Sequence, residues 1–308
     1  MSTLAGSDDQ RRLRRELLDA GLLVDMGADG LYGQAGAFLD IRLRLSELVS
    51  RLAADEVTER MHFPALLPVR RLEDVGYLTS FPHLAGTVQA FAGGDAEAAE
   101  LAELAERHED WSAYVTPTDL ALTPAGCHPV YPAIAGRGPI PPRGHTIEVG
   151  PAAVFRREPA EDPSRLQMFH MHELVRIADA GSVVAWRARW LERGLQLLQS
   201  LGLEPLSEQA NDPFFGRAGR LLAANQRSQE LKFELLVQVT EPVPTALASF
   251  NYHRDHFSAV YGQTAADGEE VHTACLGFGL ERLTVALLAR HGFDPAGWDD
   301  SVRELLWP

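Results

Sequence analysis

The chain has 308 residues, 45% of them hydrophobic, and its 43 acidic against 28 basic side chains give a formal net charge of −15. That is enough apolar material for one large domain or two small ones. No apolar run is long enough to cross a bilayer, the amino-terminal MSTLAGSDDQRRLRRE lacks the apolar core of a secretory signal, and a cytoplasmic protein is expected. The acidic balance argues against nucleic acid as the main partner, since phosphate contacts call for a basic face. Two cysteines, Cys127 and Cys275, are too few and too distant for a disulfide framework and are left for burial, metal or chemistry.

Residues 7–23 have a helical pattern, with Leu13, Leu17, Leu18 and Leu22 on one side. Gly27, Gly30, Gly33 and Gly36 punctuate a short loop or hairpin. Leu39, Leu43, Leu45, Leu48, Val49 and Leu52 predict an amphipathic helix over residues 38–59. In the following MHFPALLPV, Pro64 and Pro68 point to an edge or interrupted strand. Residues 70–92 read as small loops and 96–107 as a solvated helix. Residues 114–129 deliver Cys127, beside His128, on a Gly/Pro-rich turn where a thiolate can face a cavity. A further amphipathic helix covers 183–201 and ends at Gly202. A loop over 211–216 leads to a predicted helix over 217–230 that carries Arg217, Arg220 and Arg227. An alternating strand over 231–240 bears Lys232, the only lysine among the 28 basic residues. Either a coding bias spared one lysine, or the position needs a compact ammonium that a guanidinium fork cannot imitate. With no internal repeat and no low-complexity linker, one catalytic-sized domain is expected.

The stretch FRREPAEDPSRLQMFHMHE, residues 155–173, carries the first chemistry. Val154-Phe155 before it and Leu174-Val175-Arg176-Ile177 after it are strand-like, and the turn formers from Pro159 to Ser164 make this two antiparallel strands with a long loop. Arg156, Arg157 and Glu158 close the first strand, and Arg165, Phe169 and Glu173 follow at intervals of four. Arginine forks beside an aromatic ring can grip a phosphate and stack a base. The competing reading is a charged surface hairpin with one buried phenylalanine.

The pattern Arg156-x-Glu158, loop, Arg165-x-x-x-Phe169-x-x-x-Glu173 resembles motif 2 of the class II aminoacyl-tRNA synthetases. The resemblance implies an ATP site in which Arg156 holds the α-phosphate, Phe169 stacks on adenine, and Glu158 and Arg165 make further contacts. His272-Thr273-Ala274-Cys275-Leu276-Gly277-Phe278-Gly279-Leu280-Glu281-Arg282-Leu283, running into a helix over 284–290, resembles motif 3. There the glycines would let backbone approach the nucleotide and Arg282 would reach the γ-phosphate. The helix–strand–proline arrangement over 38–68 resembles motif 1, which builds the dimer interface in that family, so a homodimer is implied. The implied fold is α+β, a class II synthetase catalytic core with an antiparallel β-sheet flanked by helices. Residues 1–34 would form an amino-terminal helix and connector and 35–308 the catalytic domain, with motif 1 about 38–68, motif 2 about 153–177 and motif 3 about 272–290.

Two thiolates and a carboxylate suit a tetrahedral Zn²⁺ with one open position; the competing reading is two buried cysteines and an unrelated acid. Cys127, Glu173 and Cys275 resemble the Cys/Glu/Cys zinc site of the methanogen-type seryl-tRNA synthetases and their truncated relatives. A seryl-tRNA synthetase carries a long tRNA-gripping helical hairpin ahead of its core. Only residues 1–34 precede the motif 1 segment here, and no separate domain is expected between motif 3 and Pro308. Such a chain resembles the amino acid:[carrier protein] ligases. That implies ATP-dependent activation of a small amino acid, glycine or alanine, as its adenylate, and transfer to the phosphopantetheine thiol of a carrier protein. Zn²⁺ and Mg²⁺ would be the metals, with no tRNA and no membrane as partner.

Asp212 and Lys232 match positions that these ligases use around the amino acid, and Asn251 lies in a segment, 248–257, of seryl type. Seryl enzymes place a Glu and a Ser just before the matching Asn to hold Mg²⁺. This chain has Thr245-Ala246-Leu247-Ala248 there, which leaves Glu234 as the candidate ligand. The arginines over 217–230 are either a docking surface for an acidic carrier protein or a solvated helix face. Two alternatives stay open: a minimal seryl-type synthetase that aminoacylates tRNA, and a non-catalytic regulatory paralogue.

Overall fold

The computed structural model describes residues 3–214, 226 and 229–308. Helix α1 (Asp8–Asp19) starts at a capping box, in which the Ser7 hydroxyl accepts from the Gln10 amide and the Gln10 side chain accepts from the Ser7 amide. It buries Leu13 and Leu17 and stops short of the expected end, because Gly21 takes a left-handed φ of +67° and turns the chain into the hairpin β1 (Leu23–Ala28) and β2 (Leu31–Gln34). Helix α2 (Gly36–Ala53) is shorter than the 38–59 pattern, since residues from Glu59 onward join a sheet. Pro64 separates β3 (Glu59–Met61) from β4 (Leu66–Pro68), and the two belong to different sheets. That is the interrupted strand expected there.

The span expected to be loops holds α3 (Val69–Asp74), α4 (Tyr77–Ser80) and β5 (Thr87–Phe91). These are too short or too exposed to carry a readable period. Helix α5 (Asp95–Glu106) matches the solvated Ala/Glu pattern and buries no residue. Strand β6 (Val115–Leu122) pairs with both β4 and β5 as a small three-stranded sheet and leads to α6 (Val130–Ala135).

The main sheet contains β7 (His145–Phe155), β8 (Met168–Ala178), β9 (Leu206–Gln209), β10 (Lys232–Val237), β11 (Thr245–Arg254) and β12 (His272–Gly279), with β3 at one edge. Its order is β3-β7-β8-β12-β11-β10-β9, antiparallel throughout except for the parallel β3–β7 pair. The hairpin of residues 155–173 is β7 and β8, but β8 begins at Met168, six residues before its apolar run. The polar residues that hide it are paired: Ser46 with His172, and the backbone amides of Gly126 and Cys127 with Glu173. Strand β10 ends at Val237, before the expected 240. Helix α7 (Ala180–Ser200) is the 183–201 helix with an Asp179 cap. Helix α8 (His256–Tyr261) follows β11, α9 (Leu280–His291) follows β12, and α10 (Asp300–Leu306) closes the chain. Residues 217–225, 227 and 228, with Arg217, Arg220 and Arg227, lie outside the described residues.

Alternation divides the sheet. Leu174, Phe250, Ala274, Leu276 and Phe278 pack under α2, α7, α9 and α10, in one cluster that also takes Leu13, Leu17, Leu22 and Leu23. Ile147, Val149, Val175, Ile177 and Cys275 face the other way, under Cys127, Tyr131 and Ile134. The two layers are tied by Glu148, which is almost fully buried. It accepts from Ser50 of α2, accepts from Arg60 Nε at 2.8 Å, and stands 3.4 Å from His172 Nε2 without an aligned hydrogen bond.

Burial alone would push the Glu148 carboxyl up, but His172, Ser50 and Arg60 outweigh it and hold it at about 2. Its folded pKa is therefore below the unfolded one, so its contribution is complete above about pH 4.5 and is lost as pH falls toward 2. Glu148→Gln is expected to cost about 3 kcal/mol at neutral pH and to flatten the acid limb of a urea-denaturation profile between those values.

Candidate active site

One cleft, a cavity of about 1080 Å³, lies on the sheet face away from α2, α7 and α9. Its floor is the alternate residues of four strands: Phe169 and Met171 from β8, Cys275, Gly277 and Gly279 from β12, Ser249, Asn251 and His253 from β11, Lys232 and Glu234 from β10. The register sets Asn251 beside both Lys232 and Cys275, and Glu173 beside Gly277. The Met171 methyl lies over Gly277, 2.4 Å from where a Cβ would stand, so a larger residue there would have to displace that side chain from the cleft floor.

At one end three guanidinium groups converge. Arg282 is held by two main-chain carbonyls, donating from Nε to Ser164 O and from Nη1 to Ala246 O, both at 3.0 Å. Burial and then the charges of Arg165 and Arg156 lower its pKa, and among the described residues no carboxylate forms an ion pair with it. Arg156 donates from Nε to Pro124 O at 3.2 Å and lies over the Phe169 ring, 5.5 Å from its centroid. Arg165 meets Glu158 at 3.5 Å. Three cations packed this close, two of them on carbonyl partners that leave their charge uncancelled and only Arg165 facing a carboxylate, make a site for a polyanion.

Lys232 is treated differently. It is buried, with Asp212 Oδ1 at 2.6 Å and Glu234 Oε1 at 3.0 Å from its Nζ. Burial disfavours both charges, yet the ion pairing wins and moves the Lys232 pKa up and the Asp212 pKa down. Gln226 completes the cluster by donating to Asp212 Oδ2 at 2.8 Å and accepting from the Asp212 amide at 2.7 Å.

Under the floor, Cys127, Glu173 and Cys275 bring their ligand-type atoms within 4.8 Å of one another, all buried. Both Glu173 oxygens are aimed by backbone, accepting from Gly126 at 2.6 Å and Cys127 at 2.9 Å. Gly126 leaves room for this, since a Cβ there would sit 2.7 Å from Ala152 Cβ. Burial and the Cys275 charge push Glu173 up to about 7. The proximity of the two thiols pushes Cys127 up and Cys275 down. Asn251 Nδ2 and His253 Nε2 each lie 3.6 Å from Cys275 Sγ.

Comparison with known proteins follows the same lines. No family model matches the chain. The amino acid–[acyl-carrier-protein] ligase 2 of Bradyrhizobium diazoefficiens is 44% identical over 291 residues, covering 94% of this chain and 86% of the relative. Ligase 1 of that organism is 41% identical over 286 residues. This chain belongs to the amino acid–[acyl-carrier-protein] ligase family. It is therefore a ligase. The type-2 serine–tRNA ligase of Methanopyrus kandleri is more distant, 26% identical over 295 residues, and the match spans 54% of its length. Among solved structures, M. kandleri SerRS in complex with A. aeolicus tRNASec has a TM-score of 0.78 at 22% identity, over 96% of this chain and 60% of that one. The Pyrococcus horikoshii seryl-tRNA synthetase complexed with ATP has a TM-score of 0.67 at 14% identity. The fold is that of the class II synthetase core.

The cleft gathers Arg156, Glu158, Arg165, Phe169, Arg282, Asp212, Lys232, Glu234, Asn251, Cys127 and Cys275, with Glu173 beneath. Sequence reasoning missed Gln226, His253 and Ser249. For the last two a signal existed, since 249, 251 and 253 share a strand face by simple alternation. Gln226 had none. Replacing Lys232 by Met leaves two half-buried carboxylates without the ammonium between them. Urea titration should show a loss of about 3–5 kcal/mol, partly recovered when Asp212→Asn is added.

Proposed function

We propose that this ligase activates a small amino acid, glycine or alanine, with ATP to form the aminoacyl-adenylate, and then transfers the aminoacyl group to the phosphopantetheine thiol of an acyl carrier protein. The observation that carries this reading is the pairing of opposite chemistries in one cleft: three converging guanidinium groups at one end, a buried Cys/Glu/Cys trio at the other. In the first step the amino-acid carboxylate attacks the α-phosphorus of ATP and pyrophosphate leaves. Arg156 would hold the α-phosphate and Arg282 the γ-phosphate, placing nucleophile and leaving group in line as charge moves onto pyrophosphate. Glu158 and Arg165 would fix the rest of the nucleotide, with adenine on Phe169. In the second step the thiol sulfur attacks the acyl carbon, AMP leaves, and the thiol proton passes to solvent.

The trio fits Zn²⁺: two thiol sulfurs and a carboxylate oxygen, all within 4.8 Å of one another, are a donor set suited to a tetrahedral zinc with one open position. Cys127, Glu173 and Cys275 would hold the ion, which when bound supplies a Lewis-acid position for the α-amine. Asp212, Lys232 and Asn251 would position the amino acid, and the crowding of Asn251 and His253 around Cys275 supports a short side chain. Glu234 stands opposite Ser249 across β10 and β11, which supports these two as the Mg²⁺ contacts in place of the seryl-type pair. The reading extends to residues 35–308 as the catalytic domain behind a connector of residues 1–34, to a cytoplasmic homodimer joined through residues 38–68, and to no role for tRNA. The arginines of residues 217–230 would meet the carrier protein.

The test is amino-acid-dependent ATP–pyrophosphate exchange on protein of known zinc content. Exchange with glycine or alanine is expected, at about one zinc per chain. Arg282→Ala should lower exchange by about 100-fold or more, and Cys275→Ser should release the metal. Zinc-replete protein that exchanges with none of the twenty amino acids would overturn the reading.

A further inference from the structure

The amino-terminal segment reaches the ATP end of the cleft, outside every motif. Leu4 forms a parallel bridge with Ala160, donating to Pro159 O at 2.8 Å and accepting from the Glu161 amide at 3.1 Å. Glu161 Oε2 accepts from the Gly6 amide at 2.9 Å and from Arg11 at 3.1 Å. Gln10, in the first turn of α1, lines the cleft and donates from Nε2 to Asp162 Oδ2 at 3.1 Å. The loop between β7 and β8 is thus held by the amino-terminal segment at residues 159–162.

Asp162 is the hub. Its other oxygen accepts from the Ser164 amide at 2.8 Å, and its main-chain carbonyl accepts from the Arg165 amide at 3.0 Å. Ser164 is buried, and its carbonyl is one of the two that hold Arg282. Three short links therefore run from α1 to a guanidinium: Gln10 to Asp162, Asp162 to Ser164, and Ser164 to Arg282, while the Arg165 backbone is set by the same aspartate.

We propose that Gln10 and Asp162 are positioning residues, a latch by which the amino-terminal helix sets Arg165 and Arg282 for the phosphates of ATP. The proposal rests on the ATP site described above. Neither residue touches the reacting atoms; each acts through the loop. A loop held at both ends only by strands would sample many positions, and each rotation of Ser164 would move the carbonyl on which Arg282 is seated. Fixing it in advance removes an ordering cost from nucleotide binding. The effect should therefore appear in the KM for ATP and leave the amino-acid end of the cleft alone.

The bond can be reversed without losing anything else. In Gln10→Glu the side chain still accepts from the Ser7 amide, so the capping box stays, but two carboxylates now face each other. In Asp162→Asn an oxygen still accepts from Ser164, but two amide NH₂ groups now face each other. Together, Asn at 162 donates to Glu at 10 and the link re-forms with donor and acceptor exchanged. In pyrophosphate exchange by the full-length protein, each single variant is expected to raise the KM for ATP about fivefold or more, the scale of one charge-assisted hydrogen bond. The amino-acid KM should stay within about twofold, and the double variant should return close to the wild-type ATP KM. Unchanged ATP KM in both singles, or a double variant as impaired as the two singles combined, would overturn the latch. Should a single variant melt early, the double variant still decides, because recovered folding without recovered ATP KM assigns the bond to stability alone. Arg282→Ala separates the two readings: if it lowers exchange while the latch variants do not alter ATP KM, only the latch fails, and if it has no effect the ATP site fails with it.

Discussion

Strands β8 and β12 have to satisfy two different media, and everything else in the molecule follows from that division. One face carries Leu174, Leu276 and Phe278 into a helix-covered core, and the other carries Phe169, Glu173 and Cys275 toward the cleft. A one-residue slip of either strand would bury the charges under α9 and expose the core. Contacts along the two strands match this register. The Met171 methyl occupies the space beside Gly277, and Glu281 accepts from both the His170 amide, at 2.8 Å, and its ring, at 2.7 Å, where β12 has ended. Packing and hydrogen bonding thus select the same alignment.

Within the cleft the buried charges fall into two kinds. Lys232 is outweighed on the spot by Asp212 and Glu234, so it shapes the cleft without offering positive charge. Arg282 and the trio of Cys127, Glu173 and Cys275 are solvated by dipoles instead: carbonyls for the guanidinium, backbone amides for the carboxylate. Dipoles stabilise a charge and leave it available to a ligand, whereas a counter-ion removes it. Arg282 and the trio, supported by dipoles, keep their charge open to the nucleotide and the metal proposed for them.

Much of this was legible in the sequence, and the gaps have physical causes. Arginine and aromatic spacing in residues 155–173, and the glycines before Glu281 and Arg282, are local patterns and could be read directly. Strand β8 was read six residues short because His170, His172 and Glu173 break its alternation. Their partners are Glu281, Ser46 and the turn at Gly126, all distant in sequence. Helix α2 ended early because residues from Glu59 pair with Ile147, a parallel partner that no local pattern announces. Gln226 and Gln10 escaped notice for the same reason, since a glutamine on a helix says nothing about the aspartate it will meet.

The near-absence of lysine also takes on a structural sense. A guanidinium can spread several donors over separate carbonyls, as Arg282 does on Ser164 and Ala246, and so can be buried without an acid. An ammonium concentrates its charge on one atom and is strongly hydrated. Buried beneath Asn251 it needs the two carboxylates it has, at 2.6 Å and 3.0 Å. An arginine at position 232 would project its fork past Asp212 and Glu234 into the space between the two ends of the cleft. At this position a point charge stands between two acids, an arrangement that suits an ammonium.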